Sequence, residues 1–276
     1  MKNFLKNIFL RFLGMAIMLI VMSVFFSVID FFSSDSKPKK VKTNTKTVKK
    51  ETKPERIISN YINWYDYKNY YYNTNLKISY NDYLKSIRNK ENNYASTIES
   101  LYSVIYKSDK LDLDLVYKEL DFIRRDRSLS KRKFAEIIVS MIQHMPYNIV
   151  SQESCFKAQM SDDSLREMIL SGIECDGNVY GGVYSPLELV KKMKGDCDSR
   201  TLFIYTVLKK FNYDVVILNS DLYAHSIIGL NIPSSGRYKY YNGKRYYTWE
   251  TTAKGYDLGI LPAECSNIKY WYVALT

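Results

Sequence analysis

The feature that most constrains this chain is a run of residues without a charge, Phe12 to Ile29 (FLGMAIMLIVMSVFFSVI), bounded by Arg11 and Asp30. At about 1.5 Å of rise per residue, a helix of this length matches a hydrocarbon core of ~30 Å once its flanks are counted. The run predicts a single membrane-spanning helix at 12–29. A cleaved signal peptide is the competing reading, but its apolar stretch is usually shorter, about 7–15 residues, and only Ser34-Asp35-Ser36 imitates a small-x-small cleavage site. The expectation is an uncleaved signal anchor, with residues 1–32 as a cytoplasmic stub and span.

Charge identifies the next segment. The net charge is +11, but residues 33–56 hold Lys37, Lys39, Lys40, Lys42, Lys46, Lys49, Lys50, Lys53 and Arg56 against only Asp35, Glu51 and Glu55. Their only large apolar side chains are Val41 and Val48, too few to bury a core, so this segment reads as a disordered Lys/Thr-rich linker. The body that follows is nearly neutral. A basic groove for nucleic acid is therefore not expected. A literal positive-inside count would keep the body in the cytoplasm, because the lysines follow the span. Long hydrophilic domains cross largely regardless of nearby charge, and an extracytoplasmic domain on a single-pass anchor is the expectation.

From Ile57 the chain reads as one α+β domain, with a core at about 130–265 and an N-terminal extension at 57–129. The segment Trp64 to Tyr83 is rich in aromatic residues and suggests strand and loop, although its alternation is poor. Phe134, Ile137, Ile138, Met141 and Met145 form one apolar stripe of a helix that Pro146 stops. Residues 194–211 (KGDCDSRTLFIYTVLKKF) read as a loop glycine, an N-cap and a second helix. Val215 to Leu218 is a buried strand, Ala224 to Leu230 another, and Asn242-Gly243 marks a two-residue hairpin between 238–241 and 244–251.

The chemistry gathers on these elements. Cys197 falls in the first turn of its helix, where unsatisfied N–H groups and the helix dipole favour a thiolate, while Asp196 and Asp198 oppose it. His225 is one of only two histidines in the chain, and Glu250 ends a later strand. A nucleophilic thiol needs an imidazole to take its proton, and the imidazole needs an acceptor to fix its tautomer. Cys197, His225 and Glu250 are of the right types, in an order that a helix packed on an antiparallel sheet can bring together. The same three residues also suit a small buried cysteine, a core histidine and an edge-strand charge.

Six blocks in one order carry a resemblance. They are Met141-Ile142-Gln143-His144-Met145-Pro146-Tyr147, Ser185-Pro186-Leu187-Glu188-Leu189, Gly195-Asp196-Cys197-Asp198-Ser199, Phe211-Asn212-Tyr213-Asp214-Val215, His225-Ser226-Ile227-Ile228-Gly229, and Tyr246-Tyr247-Thr248-Trp249-Glu250-Thr251-Thr252 with Gly255, Gly259 and Pro262 beyond. Over residues 134–262 the chain resembles bacterial members of the transglutaminase-like superfamily. Ser199 departs from the acidic residue expected there, and residues 57–130 match none of the pattern. The resemblance implies a papain-like fold with a Cys-His-Asp/Glu triad at Cys197, His225 and Glu250. It also implies a peptide or protein substrate, a thioester intermediate and no cofactor or metal. Cysteine peptidases, amidases, acyl transferases and inactive binding or scaffolding modules all fall within it.

Gln143 lies in the first block, where it could orient the site or donate to an oxyanion; a hydrogen-bonded helix-end amide is the plainer reading. His144 is expected to cap the last carbonyls of its helix. Cys155 and Cys175 either pair in an oxidising compartment or remain two thiols. With Cys265 and a histidine they lack the spacing of a zinc site.

Overall fold

Alternating side chains build the first element, an antiparallel hairpin of β1 (Ile57–Tyr65) and β2 (Tyr71–Ser79). On β2, Tyr72, Thr74, Leu76 and Ile78 turn inward while Tyr71, Asn73, Asn75 and Lys77 face outward. Tyrosines on both faces explain why the alternation is hard to read in the sequence. This computed structural model describes residues 55–276. The expected membrane span at 12–29 and nearly all of the 33–56 linker lie outside the described residues. Among the described residues, no helix is long and apolar enough to cross a membrane.

Helices α1 (Tyr80–Asn92), α2 (Ile98–Asp109), α3 (Asp114–Asp126) and α4 (Lys131–His144) follow. The α4 helix begins where the Ser130 hydroxyl accepts the Lys133 N–H at 3.3 Å, and it ends at extended Met145 before Pro146. A short strand, β3 (Asn148–Val150), pairs in parallel with β4 (Glu174–Asp176). Between them lie α5 (Cys155–Ser161) and α6 (Asp163–Leu170). Next, α7 (Pro186–Lys192) opens with a reciprocal capping box between Ser185 and Glu188, an arrangement that satisfies two otherwise orphaned N–H groups.

The long helix α8 (Cys197–Lys210) then packs on a five-stranded antiparallel sheet. Its strands are β5 (Val215–Ser220), β6 (His225–Leu230), β7 (Tyr238–Tyr241), β8 (Lys244–Trp249) and β9 (Tyr272–Leu275), in the spatial order β7-β8-β6-β5-β9. The β7–β8 turn has positive φ at both Asn242 and Gly243, as a turn matching the strand twist requires. The architecture is α+β.

Strand periodicity divides β5 between two cores. Val215 and Ile217 join Phe134, Ile138, Phe203 and Val207 in the main core, while Val216 and Leu218 join Ile227, Tyr246 and Trp271 on the opposite face. Each such fully buried side chain contributes roughly 1.5–3 kcal/mol. The main core also contains Trp64, Leu76, Leu101, Ile105 and Leu120, so residues 57–129 are part of the same packing unit as the helix and sheet. The edge strand β9 lies beyond residue 265, outside the core segment expected from the sequence, and pairs with β5.

Candidate active site

The start of α8 is built by the residues in front of it. The Asp196 carboxylate caps the helix by accepting the Ser199 N–H at 2.9 Å. Gly195 lies against Leu189 and Ser199, where an added Cβ would stand only 3.1–3.2 Å from their side chains. A bridge between Tyr147 and Gly195 ties this turn to the segment leaving α4. Cys197 is the first residue of the helix and only 7% exposed. Among the described residues, no acceptor takes its backbone N–H, the expected state of a first-turn amide.

His225 opens β6 on the strand beside α8, and Glu250 follows the last residue of β8. His225 Nε2 lies 2.9 Å from Glu250 Oε2, so the imidazole keeps Nδ1 for a second partner. Its ring rests edge-on against Trp271, with centroids 5.9 Å apart. The other carboxylate oxygen, Glu250 Oε1, accepts from the Thr252 N–H at 2.6 Å, from the Thr252 hydroxyl and from the Ala253 N–H at 3.3 Å. One turn into α8, Thr201 donates to the Ser226 carbonyl at 3.1 Å and pairs with the Thr251 hydroxyl at 3.1 Å. A single helix residue thereby joins the neighbours of Cys197, His225 and Glu250. No hydrogen bond joins Cys197 Sγ to His225 in this arrangement.

The electrostatics favour a charged acid and a neutral thiol. Burial opposes ionisation of Glu250, but the His225 hydrogen bond and charge, together with Thr252, hold its carboxyl down at about 2. Burial pushes the Cys197 thiol well up, the Asp198 and Asp196 charges add to this, and the Ser226 N–H works against it. The two flanking acids are themselves pushed up, first by burial. Asp198 accepts a hydrogen bond from the Tyr102 hydroxyl at 2.5 Å. Tyr102 in turn receives the Asn219 amide at 3.4 Å, and Asn219 Oδ1 accepts from Ser226 at 3.0 Å.

Gln143 uses its amide nitrogen on the Glu250 carbonyl at 2.8 Å and the Tyr256 carbonyl at 3.3 Å. Both N–H donors are thereby engaged by main-chain carbonyls. Gln143 holds the strand end that carries Glu250. Its own oxygen accepts from Tyr67, whose hydroxyl also receives the Trp249 indole at 3.0 Å. His144 Nδ1 meets the Ser140 carbonyl at 2.8 Å. Cys155 and Cys175 are joined in a disulfide, whereas Cys197 and Cys265 are free.

Three participants have no signal in the linear sequence. Tyr67 and Tyr102 come from the 57–129 extension, and their partners lie 76 and 96 residues away. Arg200 sits in α8 among residues of mixed polarity yet is fully buried. No family model matches this chain, and neither does any curated protein or solved structure.

Proposed function

We propose that residues 57–276 form a transglutaminase-like thiol enzyme of papain-like architecture acting on peptide or protein amides. The observation that carries this reading is the 2.9 Å contact between His225 Nε2 and Glu250 Oε2, on a strand packed against the helix that Cys197 begins. With Nε2 bound to the acid, Nδ1 is the nitrogen left to take a proton from a thiol, as an orienting acid requires. The sulfur of Cys197 attacks the amide carbonyl carbon, and its proton passes through His225 to the leaving amine. Glu250 stabilises the imidazolium that forms in between. The Cys197 N–H supplies one donor to the oxyanion. Water then releases an acid from the thioester, or a second amine takes the acyl group.

A second reading, a silent binding module, is favoured by the buried, raised thiol and by the missing Cys197–His225 hydrogen bond. Iodoacetamide labelling separates the two. An enzyme gives labelling at Cys197 that rises with pH and falls in His225→Ala. A library of glutamine- and lysine-containing peptides then reports hydrolysis or cross-linking by mass, and Cys197→Ala abolishes both while the protein stays folded. Full turnover in Cys197→Ala excludes the mechanism. The proposal places this domain outside the cytoplasm on the 12–29 anchor, a reading supported by the Cys155–Cys175 disulfide, since such bonds persist in oxidising compartments.

A further inference from the structure

Arg200 lies one helical turn beyond Cys197 and is completely buried. A buried guanidinium is tolerated only when its donors are satisfied, and this one is satisfied by main-chain oxygens. Nε donates to Gly195 O at 2.8 Å, Nη2 to Met145 O at 2.7 Å, and Nη1 to Ile142 O at 3.1 Å and Thr252 O at 3.4 Å. The Tyr147 ring stands 5.5 Å away. Four of the five guanidinium N–H groups are thereby used.

The chosen carbonyls are informative. Gly195 belongs to the turn that presents Cys197. Ile142 and Met145 bracket Gln143, which holds the Glu250 carbonyl. Thr252 is the residue whose N–H and hydroxyl bind Glu250 Oε1. One side chain therefore grips the nucleophile's turn, the end of α4 and the clasp around the acid. We propose that Arg200 is a positioning residue, fixing the Cys197 turn against the Glu250–His225 pair through its four main-chain hydrogen bonds. The inference rests on the reading of Cys197, His225 and Glu250 as a catalytic set. Lysine cannot replace arginine here, because its compact ammonium lacks the planar fork that reaches separated acceptors.

The test is the iodoacetamide alkylation rate of Cys197 against pH, in the wild type, Arg200→Lys, Arg200→Gln and His225→Ala, and in Arg200→Lys combined with His225→Ala. Folding is followed in parallel by circular dichroism and thermal melting. Arg200→Lys is expected to fold, to alkylate about tenfold more slowly at neutral pH, and to lose most of its dependence on His225, a coupling of ordinary size for residues in one network. A purely structural arginine would lower the melting temperature and leave the pH profile and its His225 dependence as in the wild type; that result overturns the inference. So does the loss of fold in both Arg200 variants, which would make the residue a folding determinant only. If His225→Ala alone leaves the wild-type profile unchanged, the catalytic reading itself falls and takes this inference with it. If His225→Ala shifts the profile and Arg200→Lys does not, only the inference falls.

Discussion

Glu250 shows how a residue that looks ordinary in the sequence acquires a role through its neighbours. The sequence marks it as an acid at a strand end and a candidate partner of His225, but nothing there reveals that its second oxygen is held by Thr252. Its carboxyl stands at about 2 instead of 4.5, so near pH 3 the folded chain binds fewer protons than the unfolded one. The associated stability, on the order of 3 kcal/mol, is fully present above the unfolded carboxyl value and is lost as pH falls toward 2. Glu250→Gln keeps the size but removes the charge. We expect turnover to drop by orders of magnitude, slow alkylation of Cys197 to persist, and the steep loss of stability between about pH 4 and 2 to flatten in urea unfolding curves. Unchanged turnover would mean that another group orients His225. Tyr67, Tyr102 and Arg200 were illegible for a related reason: each acts through partners distant in the chain, which neither spacing nor periodicity encodes.

At the scale of elements, legibility follows how completely local chemistry decides the structure. The α4 stripe, its Ser130 cap and its Pro146 stop are all local, and the helix runs where they direct it. The Asn242-Gly243 turn is equally local. The β1–β2 hairpin is blurred by outward tyrosines, and β9 is a four-residue edge strand whose place is set by pairing with β5 and by contacts with α2, both distant in the chain. The start of α8 offers a test of a local effect on chemistry. Asp196 both caps the helix and places a carboxylate near Cys197. Asparagine caps a helix about as well as aspartate, so Asp196→Asn should keep the fold and remove a charge that raises the thiol. The pH midpoint for Cys197 alkylation should move downward. An upward or absent shift would show that the Asp196 charge does not reach the sulfur.

For the whole described molecule, the 57–129 extension is the part the sequence could not place, yet it contributes to both core and site. Trp64, Leu76, Leu101 and Leu120 pack with the α8 and sheet side chains, and Tyr67 and Tyr102 support Gln143 and Asp198. A chain starting at residue 130 should therefore fail to give a cooperative melt, whereas one starting at residue 55 should melt cooperatively; two similar melts would show that the core folds without the extension. The insert closed by Cys155–Cys175 extends this dependence toward the turn before Cys197. Asp176 follows Cys175 on β4 and binds Lys192 and Lys194, each at 3.0 Å, together with the Tyr184 hydroxyl, and Lys194 directly precedes Gly195. With 20 residues of sequence separation, the disulfide is worth roughly 3 kcal/mol, and reduction should lower the melting temperature by several degrees. The same bond reports the compartment. The chain has four cysteines, so a domain that matured outside the cytoplasm presents two thiols, Cys197 and Cys265, when cells are quenched in acid and the denatured protein is alkylated. Four alkylated thiols would place the domain in a reducing compartment, and the extracytoplasmic reading would fall.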